Sequence, residues 1–150
     1  FTLTDIVQYA ASSLKGDCGV QALLFITLCR AAGIPARWQA GLYANPRDIG
    51  CHDWAQFYIE PYGWLYADCS FGGGAYRDDV KERREFYFGN LDPFRIPMNS
   101  EFGWEFTPPM KRPGSDPYDN QTGEAEYGDR ALIRDELDTA HEIIEIREIE

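Results

Sequence analysis

Hydrophobic positions at the start of the chain recur at the spacing of an α-helix. Leu3 to Leu14 carry them at intervals of three and four residues, with Thr4 and Asp5 available as N-terminal caps. Lys15-Gly16 then interrupts the pattern. We therefore predict a first helix over residues 3–14.

A second, more apolar helix is predicted directly afterwards. Asp17 occupies the N-cap position, and apolar residues follow almost all round the helix as far as Ala32, where Gly33 and Pro35 end it. A helix that is apolar on every side has no face suited to water. We expect this helix to be central in the fold.

Beyond Pro35 the helical spacing gives way to short aromatic-rich runs that are typical of strands. The predicted strands are residues 37–43, 52–59 and 64–70, with a turn or loop at 45–48. Pro61 and Gly63, between the last two runs, form a turn signal. These two runs are therefore predicted to pair as an antiparallel hairpin.

The rest of the chain has weaker patterns. Phe71 to Gly74 predicts a flexible loop, and Lys81 to Glu85 predicts about one helical turn. The proline-rich stretch 86–128 also holds many aromatic residues, which predicts an irregular segment packed onto the domain and not a disordered tail. Residues 135–150 fit a helix and an edge strand equally well.

The composition is that of one globular domain. With 44% hydrophobic residues, 150 residues can bury one sizeable core, so residues 1–150 are predicted to be a single domain. The chain starts at Phe1 without a leader pattern, and we expect it to be a fragment of a longer chain.

The charge balance excludes some classes of partner. The 25 acidic and 14 basic side chains give a formal charge of −11, which repels nucleic acids and anionic lipid surfaces. No apolar run reaches the roughly 18 residues that cross a bilayer. We expect a soluble chain with no nucleic-acid partner and no membrane span.

The four cysteines are too sparse for a disulfide scaffold. The chain has no Cys-x-x-Cys motif, which argues against a structural zinc site. Cys29 is most simply a core residue. Cys51 and Cys69 would be cross-strand neighbours in the predicted hairpin, and either a disulfide or two buried thiols fits them.

Cys18 is the candidate nucleophile. It follows the cap Asp17, so its sulfur lies in the first turn of the apolar helix. Unpaired N–H groups and the positive end of the helix dipole stabilise a thiolate there, and the same N–H groups can bind an oxyanion. The alternative is that Cys18 is a small buried apolar side chain.

His52 and Asp68 are the candidate base and acid. His52 begins one predicted hairpin strand and Asp68 lies near the end of the other. Their even separation places both side chains on one face of a direct antiparallel pair, where the carboxylate can hold one imidazole nitrogen. Cysteine, base and orienting acid form the pattern of a catalytic triad.

The sequence around these three residues resembles the transglutaminase-like superfamily, a group of papain-like enzymes. Residues 16–37, GDCGVQALLFITLCRAAGIPAR, resemble its nucleophile helix, His52-Asp53-Trp54 its histidine strand, and residues 63–68, GWLYAD, its aspartate strand. The specific motifs extend over 16–72, and Phe88 to Pro93 resembles bacterial members.

The resemblance implies an α+β fold in which the helix bearing Cys18 packs on an antiparallel sheet bearing His52 and Asp68. It also implies attack by Cys18 on amide bonds of a peptide or protein substrate, as a protease, amidase or transglutaminase, with no metal and no cofactor. Asp17 and Trp54 are assigned to the substrate cleft, although Trp54 also suits a core. The alternative function is a catalytically idle module that binds a peptide or protein in the same cleft.

Two further features stay open at the level of sequence. Gln8 and Ser12 are candidates for a second oxyanion donor, which the superfamily often takes from upstream of the nucleophile. A cluster of oxygen-bearing residues suggests calcium but lacks the spacing of a calcium loop, so a solvated loop is favoured. The cluster consists of Asp116, Asp119, Asn120, Glu124 and Glu126.

Overall fold

The computed structural model describes residues 5–112, 119, 121 and 123–149. Helix α1 spans Ile6–Ser13 and helix α2 spans Cys18–Ala31. The Asp5 carboxylate accepts a hydrogen bond from the backbone N–H of Gln8 at 2.8 Å. The Asp17 carboxylate accepts one from the backbone N–H of Val20 at 2.9 Å. Both helices and the caps Asp5 and Asp17 are therefore confirmed, while residues 3 and 4 of the first predicted helix lie outside the described residues.

Five strands form one antiparallel sheet in the order β4-β3-β2-β1-β5. The strands are β1 (Ala36–Asn45), β2 (Asp48–Ile59), β3 (Gly63–Ala67), β4 (Phe88–Gly89) and β5 (Arg95–Asn99). Ala55 pairs with Ala67 and Ile59 with Gly63, so the predicted hairpin is confirmed. Helices packed on an antiparallel sheet make the fold α+β, as predicted.

The residues after β3 form a helix, where the sequence predicts a strand end and a flexible loop at 71–74. Strand β3 stops at Ala67, and helix α3 spans Cys69–Arg77. The Asp68 carboxylate accepts the backbone N–H of Phe71 at 2.9 Å and so supplies a cap. This cap favours the helix despite the poor helix propensity of its three consecutive glycines, and the two predictions are wrong for that reason.

The chain after α3 is less regular, apart from β4 and β5. The remaining elements are α4 (Lys81–Phe86), β6 (Glu126–Tyr127), β7 (Arg130–Ala131) and a 3₁₀ turn (Arg134–Glu136). Residues 137–149 form neither of the two elements considered for 135–150. Ile144 and Ile149 are 93% and 95% exposed, so no apolar face is buried to stabilise a helix or an edge strand.

The aromatic stretch 86–128 is packed onto the domain at several points. Phe88 stacks on Phe57 with ring centroids 5.4 Å apart, and Phe102 contacts Trp38 edge-on at 5.1 Å. Trp104, by contrast, is mostly exposed. No helix in the described part of the chain is long and apolar enough to cross a membrane.

Strand β2 is buried on both faces, from His52 to Phe57. One face packs against α2 and forms the main core: Ala22, Ile26, Cys29, Ala36, Trp38, Ala40, Ala55, Phe57 and Ala67. Successive side chains of a strand point to opposite faces. Asp53 therefore shares the α2 face with Ala55 and Phe57, and His52 and Trp54 lie on the other face.

Substitution of Gly41 tests the close approach of β1 and β5. A Cβ atom there would collide with the backbone carbonyl of Ile96 and lie 2.8 Å from the Met98 nitrogen. Because backbone atoms cannot move aside as a side chain can, we expect Gly41→Ala to lower the free energy of unfolding by about 2–3 kcal/mol. Urea unfolding followed by tryptophan fluorescence measures the change.

The matched control is Gly50→Ala in β2, since a Cβ at Gly50 meets nothing within 4 Å. We expect this variant to unfold within about 0.5 kcal/mol of the wild type. Equal losses in the two variants would contradict the prediction.

Candidate functional site

The structure brings His52 and Asp68 together on the face of the sheet opposite α2. Asp68 directly follows β3, and continuing the β2–β3 register places it opposite Trp54, two residues from His52 on the same face. His52 Nε2 lies 2.8 Å from Asp68 Oδ2, and the two residues are 6% and 1% exposed. This is a buried imidazole–carboxylate hydrogen bond.

Asp68 is held as a carboxylate by the groups around it. Burial by itself raises the pKa of Asp68, but the hydrogen bond with His52, the Phe71 N–H and the Arg95 guanidinium outweigh it and lower the pKa below its usual value. The Ser70 hydroxyl adds a hydrogen bond to Oδ1 at 3.1 Å. Asp68 is therefore suited to orient His52 and to stabilise an imidazolium.

Arg95, in β5, is a member of this site that the sequence analysis misses. Its Nη2 lies 2.9 Å from Asp68 Oδ2 and 2.8 Å from Asp92 Oδ2, with the side chain 4% exposed. Its guanidinium lies over the rings of Tyr43 and Phe71, 4.8 and 4.5 Å from their centroids. No sequence signal marks this arginine, because only the pairing of β5 with β1 brings it to Asp68.

Cys18 lies in the first turn of α2, as predicted, but its hydrogen bond goes to Asp53. The thiol Sγ donates to Asp53 Oδ2 at 3.2 Å. Burial and the carboxylates of Asp53 and Asp17 raise the pKa of Cys18 from 9.0 to about 12. The expectation of an easily ionised thiol is therefore corrected, since desolvation and two nearby negative charges oppose the helix N-terminus.

Asp53 is the second residue that the sequence analysis misses. It is 3% exposed, and its Oδ1 accepts a hydrogen bond from Gln121 Nε2 at 2.6 Å. Burial raises the pKa of Asp53 to about 6, although the hydrogen bonds from Cys18 and Gln121 oppose that rise. A signal for it exists: Asp53 alternates with Ala55 and Phe57 on an otherwise apolar face of β2.

The residues assigned to the substrate cleft have structural roles. Trp54 is fully buried and donates its indole N–H to Gln39 Oε1 at 2.7 Å, with its ring 6.4 Å from that of His52. Asp17 is exposed and caps α2 through the N–H of Val20. Their assignment to a cleft stays a prediction.

The candidate oxyanion donors Gln8 and Ser12 are exposed on α1. The Ser12 hydroxyl donates to the Gln8 backbone carbonyl at 2.8 Å, within the helix itself. No hydrogen bond of either side chain to Cys18 is present among the described residues. A second oxyanion donor stays a prediction.

A largely apolar cavity of about 700 Å³ lies beside Asp68, between α2, α3 and α4. Its walls include Phe25, Ala67, Asp68, Cys69, Tyr87 and Phe88. Its size is in the range of pockets that hold small ligands or substrate side chains. It shares Asp68 with the His52 pair.

Cys51 and Cys69 do not form a disulfide, and Cys29 is buried as expected. Within the described ranges, no group of three or more histidine, cysteine or acidic residues is arranged to hold a metal ion. Of the acidic cluster considered for calcium, Asp116 and Asn120 lie outside the described residues.

Substitution of Arg95 tests its role beside Asp68. Arg95→Met removes the cation that contacts both Asp68 and Asp92 in a buried site. We expect a loss of about 3–5 kcal/mol in the free energy of unfolding, because the carboxylates lose a partner that water cannot replace. Arg83→Met is the control: it breaks an exposed pair with Asp78 and should cost about 1 kcal/mol or less. Similar losses would contradict a structural role for Arg95.

The buried carboxylate of Asp53 predicts a pH-dependent stability. Its pKa rises from 3.8 to about 6 on folding, so above pH 6 its buried charge lowers the free energy of unfolding. This destabilisation falls as the carboxylate is protonated and is lost below about pH 4. We expect the stability of Asp53→Asn relative to wild type to increase by about 2–2.5 kcal/mol between pH 4 and pH 8. Urea unfolding at both pH values measures it.

Asp48→Asn, at an exposed position of the same strand, is the control for Asp53→Asn. We expect it to change the free energy of unfolding by less than about 0.5 kcal/mol at either pH. A gap between wild type and Asp53→Asn that stays constant with pH would contradict the prediction.

Comparison with known proteins finds a similarity for the first part of the chain. Residues 3–69 match the family model of the transglutaminase-like superfamily. No curated protein and no solved structure matches the chain significantly. The match supports a papain-like cysteine enzyme family in general terms. It confirms, over the segment that contains Cys18, His52 and Asp68, that the chain resembles the transglutaminase-like superfamily.

Proposed function

We propose that the chain carries out cysteine-dependent acyl transfer on amide bonds of peptides or proteins, through a thioester on Cys18. The observation that carries this proposal is the buried His52–Asp68 pair, 2.8 Å apart, within the segment that matches the superfamily. A buried imidazole held by an ionised carboxylate suits general acid–base catalysis.

The orientation of His52 defines its part in the reaction. With Nε2–H donating to Asp68 Oδ2, Nδ1 is the basic nitrogen. The Cys18 sulfur first leaves Asp53 on the α2 face of the sheet and moves to Nδ1 of His52. Nδ1 then takes the thiol proton as the sulfur bonds to the carbonyl carbon. It then gives that proton to the leaving amine as the C–N bond breaks, which leaves a thioester.

The second half of the reaction determines which enzyme class results. Water attacking the thioester gives hydrolysis, and a primary amine gives a new amide. In both cases His52 removes a proton from the attacking group and returns it to the Cys18 sulfur as the C–S bond breaks. The net charge of −11 favours neutral or basic substrates in their approach to the chain.

The Cys18–Asp53 contact supports a second candidate function, a binding module without catalysis. The sulfur is a hydrogen-bonded thiol with a pKa of about 12, and it has to leave Asp53 before it can transfer its proton to His52. A chain in which that contact never opens would bind a peptide or protein without cleaving an amide.

The two functions are distinguished by amide turnover. We expect the chain to release ammonia or new amino termini from a mixed pool of glutamine-containing peptides, or to attach added methylamine to them. Cys18→Ala should abolish these changes, and His52→Gln should reduce their rate about 10²- to 10⁴-fold. Mass spectrometry of the pool and an ammonia assay provide the measurement.

Cys29→Ala is the matched control, because Cys29 lies on the same helix but is buried in the core. It should retain turnover. If the wild type leaves the pool as unchanged as Cys18→Ala does, the enzyme proposal fails and the binding module replaces it.

A further inference from the structure

The carboxylate of Asp53 lies at the contact between the nucleophile helix and the sheet. One oxygen accepts a hydrogen bond from the Cys18 thiol at 3.2 Å, and the other accepts one from the Gln121 side-chain amide at 2.6 Å. Neither partner carries a positive charge. An acid that is 3% exposed and whose donors in the described part of the chain are neutral is costly to bury, so its place beside a thiol calls for a functional explanation.

Gly19 allows this close approach. A Cβ at position 19 would lie 2.9 Å from Asp53 Oδ2 and 3.2 Å from the Trp38 ring. The first turn of α2 therefore reaches Asp53 only because the residue after Cys18 has no side chain. The close packing of Gly19 thus allows the hydrogen bond between Cys18 and Asp53.

We propose that Asp53 is a positioning residue for the nucleophile, which holds the Cys18 sulfur as a thiol against the α2 face of the sheet until the reaction requires it. The proposal deepens the proposed function and rests on it, because a resting position has meaning only for a sulfur that later reacts. Asp53 itself takes no proton in the reaction.

The charges around Cys18 explain why the thiol keeps its proton. A thiolate would lie 3.2 Å from one carboxylate in a partly buried site, and the Asp17 carboxylate would also repel it. Among the described residues, His52 is the basic group that acts on Asp53, and it is already bound to Asp68. In the reaction, movement of the sulfur away from Asp53 is therefore needed for ionisation, and a neutral substitution of Asp53 removes the same obstacle.

The test is the pH dependence of Cys18 alkylation by iodoacetamide, read by mass spectrometry of the peptide that contains Cys18. We expect Asp53→Asn to label at least about tenfold faster than wild type at pH 8, with its rate rising at lower pH, because the thiolate is the reactive form. Asp17→Asn is the control: asparagine also caps helices, and we expect a smaller increase.

Unfolding would also expose Cys18, so the buried Cys29 serves as an internal reference in every sample. Slow labelling of Cys29 shows that the variant is folded. Asp53→Ser provides a second neutral substitution if Asp53→Asn fails this check. Cys18 labelling that is unchanged in a folded neutral variant would overturn the positioning role.

His52→Ala, made alone and together with Asp53→Asn, separates this proposal from the proposed function. If Asp53→Asn accelerates labelling and His52→Ala slows it again, both stand. If Asp53→Asn accelerates labelling and His52→Ala has no effect, Asp53 controls the thiol but the Cys18–His52 pair of the proposed function fails.

Discussion

The burial of both faces of β2 is the constraint on which the site depends. A central strand buried from His52 to Phe57 has no solvent for its polar side chains, so each must find a partner within the protein. Two carboxylates meet this requirement in opposite ways. Asp68 receives a cation and hydrogen-bond donors that outweigh the effect of burial on its pKa. The donors to Asp53 within the described ranges are the neutral Cys18 and Gln121, which do not outweigh its burial.

The consequences of this difference extend to the residues that the two carboxylates contact. The lowered pKa of Asp68 keeps a negative charge beside His52, which favours one orientation of the imidazole. Asp53 places its charge beside a sulfur and thereby opposes a thiolate. One face of β2 thus carries an imidazole held by the Asp68 carboxylate, and the other carries the Asp53 carboxylate that holds the Cys18 thiol of α2.

Magnitudes explain why the position of Cys18 in α2 does not by itself produce a reactive thiol. A helix N-terminus is worth at most about 2 kcal/mol to a nearby charge. The rise in the pKa of Cys18 from 9.0 to about 12 corresponds to about 4 kcal/mol in the opposite direction. Burial and the carboxylates therefore outweigh the helix dipole, and the protein environment decides the reactivity of the motif.

The sequence by itself determined the local elements and the pairing that depends on them. The caps Asp5 and Asp17, the hairpin turn and the spacing of His52 and Asp68 follow from short-range rules of capping and strand alternation. The tertiary structure alone decided the partners of buried charges. Arg95 reaches Asp68 through strand pairing across the sheet, and Gln121 reaches Asp53 from 68 residues away. Burial strongly affects the pKa of such groups, and it arises only when distant segments pack together.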